Sequence, residues 1–276
     1  MKFLLLIAKI YFIGLLAIVN SMSMHAESYS KINNNKSLSK DKGNMMEIED
    51  FKTLQKMLKN KNKPIIWVFA GDSITHGARH TNGWRSYPEH FSERIRCELE
   101  RYSDIVINTG ITNDTTHILI NTWEARVARF KPDVISVMEG MNDSYDGTIS
   151  SVLESMDGRL IDKEMFAKNL HEIIGRVRQT GAIPLLHTMN TINLATEQQR
   201  RNLPAYVEVI RAVARTEKVI LVDNYEYWAA NNNSCKCLND SIHPNEIGHR
   251  AIAGELFRTL AIFDDKSPTC LLPLQK

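Results

Sequence analysis

The chain has 276 residues, 43% hydrophobic and 24% charged, with a formal net charge of +2. Lysines and arginines are scattered among the acids, so there is no electrostatic case for nucleic acid as a partner. No internal repeat is visible.

Lys2 precedes an apolar run, Phe3 to Val19, broken by Lys9, and Ser21 and Ala26 follow as small residues suited to cleavage. A charged start, an apolar stretch and a small-residue exit predict a secretory signal over residues 1–26. The run is close to the length of a minimal membrane span, so an uncleaved anchor is the alternative. No cysteine lies just beyond it, which argues against a lipid-anchored product. After cleavage no stable membrane association is expected. Residues 27–44, ESYSKINNNKSLSKDKGN, have almost nothing to bury and read as a flexible linker. The remainder, 45–276, is long enough for one α/β domain with a sizeable core.

Five short apolar runs recur along that domain: PIIWVFA (64–70), DIVINTG (104–110), DVISVME (133–139), AIPLLHT (182–188) and KVILVD (218–223). Continuous β-branched runs of this length suit strands covered on both faces. Between them Leu119, Trp123, Val127 and Phe130 recur at helical spacing. So do Phe166, Leu170, Ile173 and Val177, and again Tyr206, Ile210 and Val213. Strands alternating with helices imply crossover units. The expected fold is a three-layer α/β/α sandwich around a central, five-stranded, mainly parallel sheet. Ligands of such sheets lie beyond the carboxyl ends of the strands. Four of those ends are polar or glycine-rich: GDS (71–73), TGITND (109–114), EGMND (139–143) and HTMN (187–190).

Ser73 follows the first strand. By itself it suits a turn or helix cap as well as a nucleophile. A serine hydroxyl needs a base, and the base needs an orienting group. DSIHPNEIGH (240–249) supplies Asp240 and His243 three apart in a loop, with Pro244 and Glu246 opening a helix. The bland alternative for this pair is a helix entry with a capping aspartate. Charge building on a carbonyl oxygen needs donors fixed in advance. The Asn142 amide, the Ser73 N–H and an N–H of the 109–114 turn are candidates.

Taken in order, GDS with Ser73, the turn NTGITNDTT, G-x-N-D with Gly140 and Asn142, and D-x-x-H with Asp240 and His243 resemble the SGNH hydrolases, also called GDSL esterases and lipases. The resemblance spans residues 65–260 and goes with a flavodoxin-like sheet. It implies Ser73 as nucleophile, His243 as general base and then acid, and Asp240 as its orienting partner. It also implies an oxyanion hole from the Ser73 N–H, a turn N–H and the Asn142 amide. The family's oxyanion glycine falls at Asn113 here. A backbone N–H does not depend on the side chain, and Asn tolerates positive φ. Gly110 is the fallback. The segment 71–77, GDSITHG, is not the G-x-S-x-G elbow of α/β-hydrolases.

His76, Arg79, His80, Trp84 and Arg85 follow the nucleophile and are candidates for binding a polar, sugar-like group. The alternative is that Trp84 and Tyr87 begin the core face of the next helix. The stretch 143–162 is a candidate lid or rim. Asn113-Asp-Thr115 and Asn142-Asp-Ser144 match the glycosylation pattern and coincide with the proposed site. Cys97, Cys235, Cys237 and Cys270 lack metal-ligand spacing. No metal or cofactor is expected. Bridging Cys235 to Cys237 across one residue is strained, so Cys97 or Cys270 is the expected partner. The expected activity is a secreted serine esterase removing acetyl or another short acyl group, from carbohydrate by family-level expectation. Competing readings are a lysophospholipase or thioesterase, an acyltransferase, and a catalytically dead glycan-binding protein.

Overall fold

The β-branched runs pair side by side as five parallel strands in the order β2-β1-β3-β4-β5. The computed structural model describes residues 48–231 and 234–271, without the side chains of residues 234 and 235. The predicted signal and linker, residues 1–44, lie outside the described residues. The described residues belong to one unit, Glu47–Lys276. None of their helices is long and apolar enough to cross a membrane.

In chain order the main elements are α1 (Glu49–Lys59), β1 (Ile66–Gly71), α2 (Ser73–His76), α3 (Tyr87–Glu93), β2 (Ile105–Asn108), α4 (Thr116–Asn121) and α5 (Trp123–Arg126). There follow β3 (Val134–Met138), α6 (Ser150–Glu154), α7 (Lys163–Gln179), β4 (Ile183–His187), α8 (Leu203–Glu217), β5 (Ile220–Val222), α9 (Asn224–Ala230), α10 (Ser234–Cys237) and α11 (Glu246–Thr259). β3 and β4 are buried throughout, as continuous apolar runs predict. Edge strand β2 is not: Ile105 and Asn108 at its ends are exposed.

Side chains alternate across β1, so Trp67 and Phe69 share a face. Both pack on Phe91 of α3, with ring centroids 4.8 and 5.1 Å away, and Phe91 packs on Phe257 of α11. On another contact surface α7 meets α8, where Phe166 and Tyr206 lie 5.2 Å apart. The stripes predicted on those two helices are buried. The stripe from Leu119 to Phe130 is not one helix. It breaks at Thr122, whose hydroxyl donates back to the Ile118 carbonyl at 2.7 Å, a bond that bends helices.

Cys97 is exposed, Cys237 and Cys270 are buried, and all three are free thiols. The expected bridge to Cys97 or Cys270 is therefore not formed. Cys97 faces a surface groove with Arg96 and Tyr102, whereas the Cys237 carbonyl lies against Gly248 of α11. Cys97 and Cys237 belong to different neighbourhoods.

The bottom of the fold is closed by a buried ion pair. Arg101 donates to both carboxylate oxygens of Asp104 (2.8 and 2.9 Å) and to the carbonyls of Met57, Leu58 and Asn60, which end α1. Asp104 also accepts from the Ile65 N–H and the Trp67 indole. Both side chains are almost fully buried, at 1% and 2% exposure. Asp104→Ala strands the guanidinium, and we expect a loss of about 3–5 kcal/mol in urea unfolding. A loss below about 1 kcal/mol, the value of a surface pair, would refute this account.

Candidate active site

β1 delivers Ser73 directly into a helix. Asp72 caps α2, its Oδ1 accepting the Ile74 N–H at 2.8 Å. Ser73 is the first residue of α2, where backbone N–H groups have no partner within the helix. Its hydroxyl oxygen is 2.9 Å from Nε2 of His243.

His243 comes from the loop before α11. That loop closes on itself, the Asn239 N–H donating to the His243 carbonyl at 2.8 Å beside a bridge between Leu238 and Pro244. The cap of α11 is Asn245, which accepts from the Ile247 and Gly248 N–H groups. Asp240 instead accepts from the N–H groups of Ile242 and His243, at 2.8 and 2.7 Å. Its second oxygen is 2.8 Å from Nδ1 of His243. Partial burial raises the Asp240 pKa, but these hydrogen bonds outweigh it and leave the carboxyl below its usual range. Such an acceptor selects the tautomer with hydrogen on Nδ1, leaving the Nε2 lone pair toward Ser73.

The turn after β2 is closed by the Asp114 N–H donating to the Ile111 carbonyl. Asn113 is its third residue, with φ of 64°, a position that asks for Gly or Asn. The Asn113 side chain does not stand free. Its amide donates to the Ser155 hydroxyl at 3.1 Å, tying the turn to the segment predicted as a rim. Gly110 serves a different purpose from the fallback role. Its N–H is taken by the Asn108 side chain at 2.9 Å, and a Cβ there would sit 2.4 Å from the His76 backbone nitrogen. It is a glycine so that the β2 turn can lie against α2.

Asn142 is buried just beyond β3. One amide hydrogen goes to the Asp114 carbonyl at 2.8 Å, and its oxygen faces Arg200 at 3.4 Å. These partners fix which way the amide points and leave its second hydrogen for another acceptor. Ser73, His243 and Asp240 thus meet in one hydrogen-bonded line. The Asn113 turn and Asn142 are joined to each other through Asp114.

The remaining candidates divide. Trp84 is exposed, while Tyr87 is wholly buried in the core. Arg79 is exposed. His76 is half-buried, its Nδ1 enclosed without a partner. Arg85 pairs with Glu93 at 3.4 Å and lines the groove with Arg96 and Tyr102, which includes neither Ser73 nor His243. His80 lies flat against His243, ring centroids 3.4 Å apart.

Beneath these groups lies a second layer of buried polar side chains, most of them from the polar strand ends. Arg126, buried, donates to the Gly71 and Thr109 carbonyls and pairs with Asp114. Asn190, at the polar end of β4, donates to the Ile242 carbonyl at 3.1 Å and steadies the histidine loop. Its HTMN setting was the available signal; Arg126 sat inside a helical stripe and gave none. Four carboxyls lie here with little solvent. Burial pushes Asp72 and Asp143 up to about 7, partly offset by the Ile74 N–H for one and by Thr116 for the other. Burial, then the neighbouring Asp114 and Asp72, holds Glu139 well above the carboxylate range. Burial also raises Asp114, against the pull of Arg126.

A parallel five-stranded sheet with a Ser-His-Asp line and an amide beyond its carboxyl edge is an α/β fold with its candidate site where such sheets hold their ligands. Residues 69–251 match the model of the GDSL-like lipase/acylhydrolase family, so the chain belongs to that family and is a carboxylic ester hydrolase. It is 26% identical to an acetylxylan esterase of Geobacillus stearothermophilus over 214 residues, 70% of this chain and 92% of that one. An uncharacterized protein of Mycoplasma pneumoniae is 34% identical over 107 residues, 38% of this chain and only 11% of that protein. The fold is similar to that of an alpha/beta hydrolase enzyme from the metagenome of Lake Arreo, Spain, with TM-score 0.62 and 24% identity over 73% of this chain and 97% of that one.

Gly110→Ala is expected to cost about 1–3 kcal/mol, as overpacking does, and to lower esterase activity, because the clash is with backbone. Unchanged melting and turnover would show that the turn yields freely. The carboxyl of Asp143 gives a pH test. Its folded pKa of about 7 exceeds the ordinary 3.8, so the folded state keeps a proton that the unfolded chain releases. That stabilisation is present below about pH 3.8 and is lost as pH rises to about 7. Asp143→Asn cannot titrate. Its melting temperature relative to wild type should therefore rise from pH 4 to pH 8, and a constant difference in calorimetry would contradict it.

Proposed function

We propose that this protein is an exported serine esterase that removes acetyl or a similarly short acyl group from a carbohydrate, through an acyl-enzyme on Ser73. The observation that carries the reading is the hydrogen-bonded line from Ser73 Oγ to His243 Nε2 at 2.9 Å and from His243 Nδ1 to Asp240 at 2.8 Å.

In this reading Ser73 Oγ attacks the ester carbonyl as its proton passes to His243 Nε2. Asp240 stabilises the imidazolium that forms. The oxyanion takes hydrogen bonds from the Ser73 N–H, the Asn113 N–H and the free hydrogen of the Asn142 amide. Collapse breaks the bond to the alcohol, which leaves with the proton from His243. Water then attacks the acyl-serine with His243 again as base, releasing the carboxylic acid and restoring the serine.

The choice of a short acyl group rests on the Asn113 side chain and its bond to Ser155, which bring the rim segment to the oxyanion turn. The carbohydrate rests on the acetylxylan esterase to which the chain is similar. Export rests on the pattern of residues 1–26. A second reading, a lipid-type acyl hydrolase, draws support from a cleft of about 660 Å³ beside Asp240, partly lined by Ile192, Leu194 and Leu238.

Acetate release from acetylated xylo-oligosaccharides and other acetylated sugars tests the proposal, alongside a p-nitrophenyl ester chain-length series. We expect activity on acetyl and other short-chain esters, and a fall of about 10⁴-fold or more in kcat for Ser73→Ala. Hydrolysis of long chains alone would favour the lipid reading. Full activity in Ser73→Ala would remove the serine from the mechanism.

A further inference from the structure

His80 lies on the turn between α2 and α3, far from His243 in the chain, yet the two imidazoles stack face to face. Their planes are 5° from parallel and their centroids 3.4 Å apart. His80 Nδ1 is 3.5 Å from Oδ2 of Asp240, the oxygen that His243 Nδ1 approaches to 2.8 Å. The turn that carries His80 is itself held. The His80 and Thr81 N–H groups both donate to the Gly77 carbonyl at 3.1 Å. Asn82 donates to the Asn239 side chain at 2.9 Å, next to Asp240.

A carboxylate at one edge of an imidazole fixes that edge but lets the ring swing about the line between them. A second ring at contact distance on one face blocks the swing. It also keeps water from that face, where a less polar setting strengthens the bond between His243 and Asp240. The imidazolium formed during acyl transfer gains a π face, provided His80 is neutral. Burial, then the charge of His243, pushes the His80 pKa below 6.5, with Asp240 a partial offset and Arg79 acting in the same sense as His243. The three side chains bring ligand atoms within 4.8 Å of one another, but parallel rings aim their in-plane lone pairs side by side instead of at a common point. The arrangement is built as a stack and not as a cation cage.

We propose that His80 is a positioning residue, whose stacked ring holds His243 in the orientation that presents Nε2 to Ser73. The inference rests on the roles assigned above to Ser73 and His243. It assigns His80 to the turnover step and not to substrate binding.

The test compares His80→Ala, His80→Phe and His80→Gln in the full-length protein, with Ser73→Ala as control. Steady-state hydrolysis of p-nitrophenyl acetate gives kcat and KM, and the rate of inactivation by phenylmethylsulfonyl fluoride reports activation of Ser73 without an acyl substrate. Removing the ring should lower kcat about 10- to 100-fold, the scale of misorienting a reacting group, with KM within about twofold. Inactivation should slow in parallel. His80→Phe, which keeps a stacking ring, should recover most of both rates, and His80→Gln, which keeps only a polar contact, should not. Should His80→Ala fail to fold, the Phe and Gln pair carries the same comparison. Wild-type rates in His80→Ala, a change in KM alone, or a Phe variant as slow as Ala would each overturn the proposal. If Ser73→Ala is inactive while the His80 series is flat, only the His80 assignment falls. If Ser73→Ala is fully active, the triad reading falls and the His80 assignment with it.

Discussion

A single buried guanidinium joins the chain segments on which this site stands. Arg126 cannot leave its charge or its N–H groups unmet without a penalty of several kcal/mol. It meets them with the carbonyl at the end of β1, the carbonyl just past β2, and the carboxylate of Asp114. Those partners lie beside Ser73 and Asn113. The Asp114 carbonyl in turn receives the Asn142 amide. Segments following three different strands are thus placed relative to one another by Arg126 and its partner Asp114.

The same dryness that makes this joint rigid governs its charge. Asp72, Glu139 and Asp143 are buried within the same layer, and burial is the largest influence on each. Ionised together they would repel one another. Burial favours the protonated form of each, which relieves that repulsion. Asp240 has the opposite environment: partly exposed, with N–H groups pointed at it, its carboxyl is held below the usual range beside His243. Five carboxyls with Asp114 between them fall into two electrostatic roles, set by solvent access and by backbone donors.

The histidine loop is steadied from three directions. Its own backbone closes it, Asn190 reaches it from β4, and the turn bearing His80 and Asn82 meets it from the side of α2. Two of these contacts come from segments that follow different strands, β1 and β4. A parallel sheet makes this convergence natural, because all its strands finish at the same edge.

Local chemistry explains what could be read along the chain. β-branched runs mark the strands because a pleated, doubly covered surface selects them residue by residue, and the stripes of α7 and α8 follow from helical period. The order of polar strand ends, the serine, the amide and the aspartate–histidine loop were legible for the same reason: each depends on neighbours in sequence. Contacts between distant segments were not. The bend at Thr122, the close approach that requires glycine at 110, the unpaired thiols and the His80 stack depend on which side chains meet after folding. Period and turn chemistry are written in adjacent residues, whereas the facing of one loop on another is decided by burial and by partners far along the polymer.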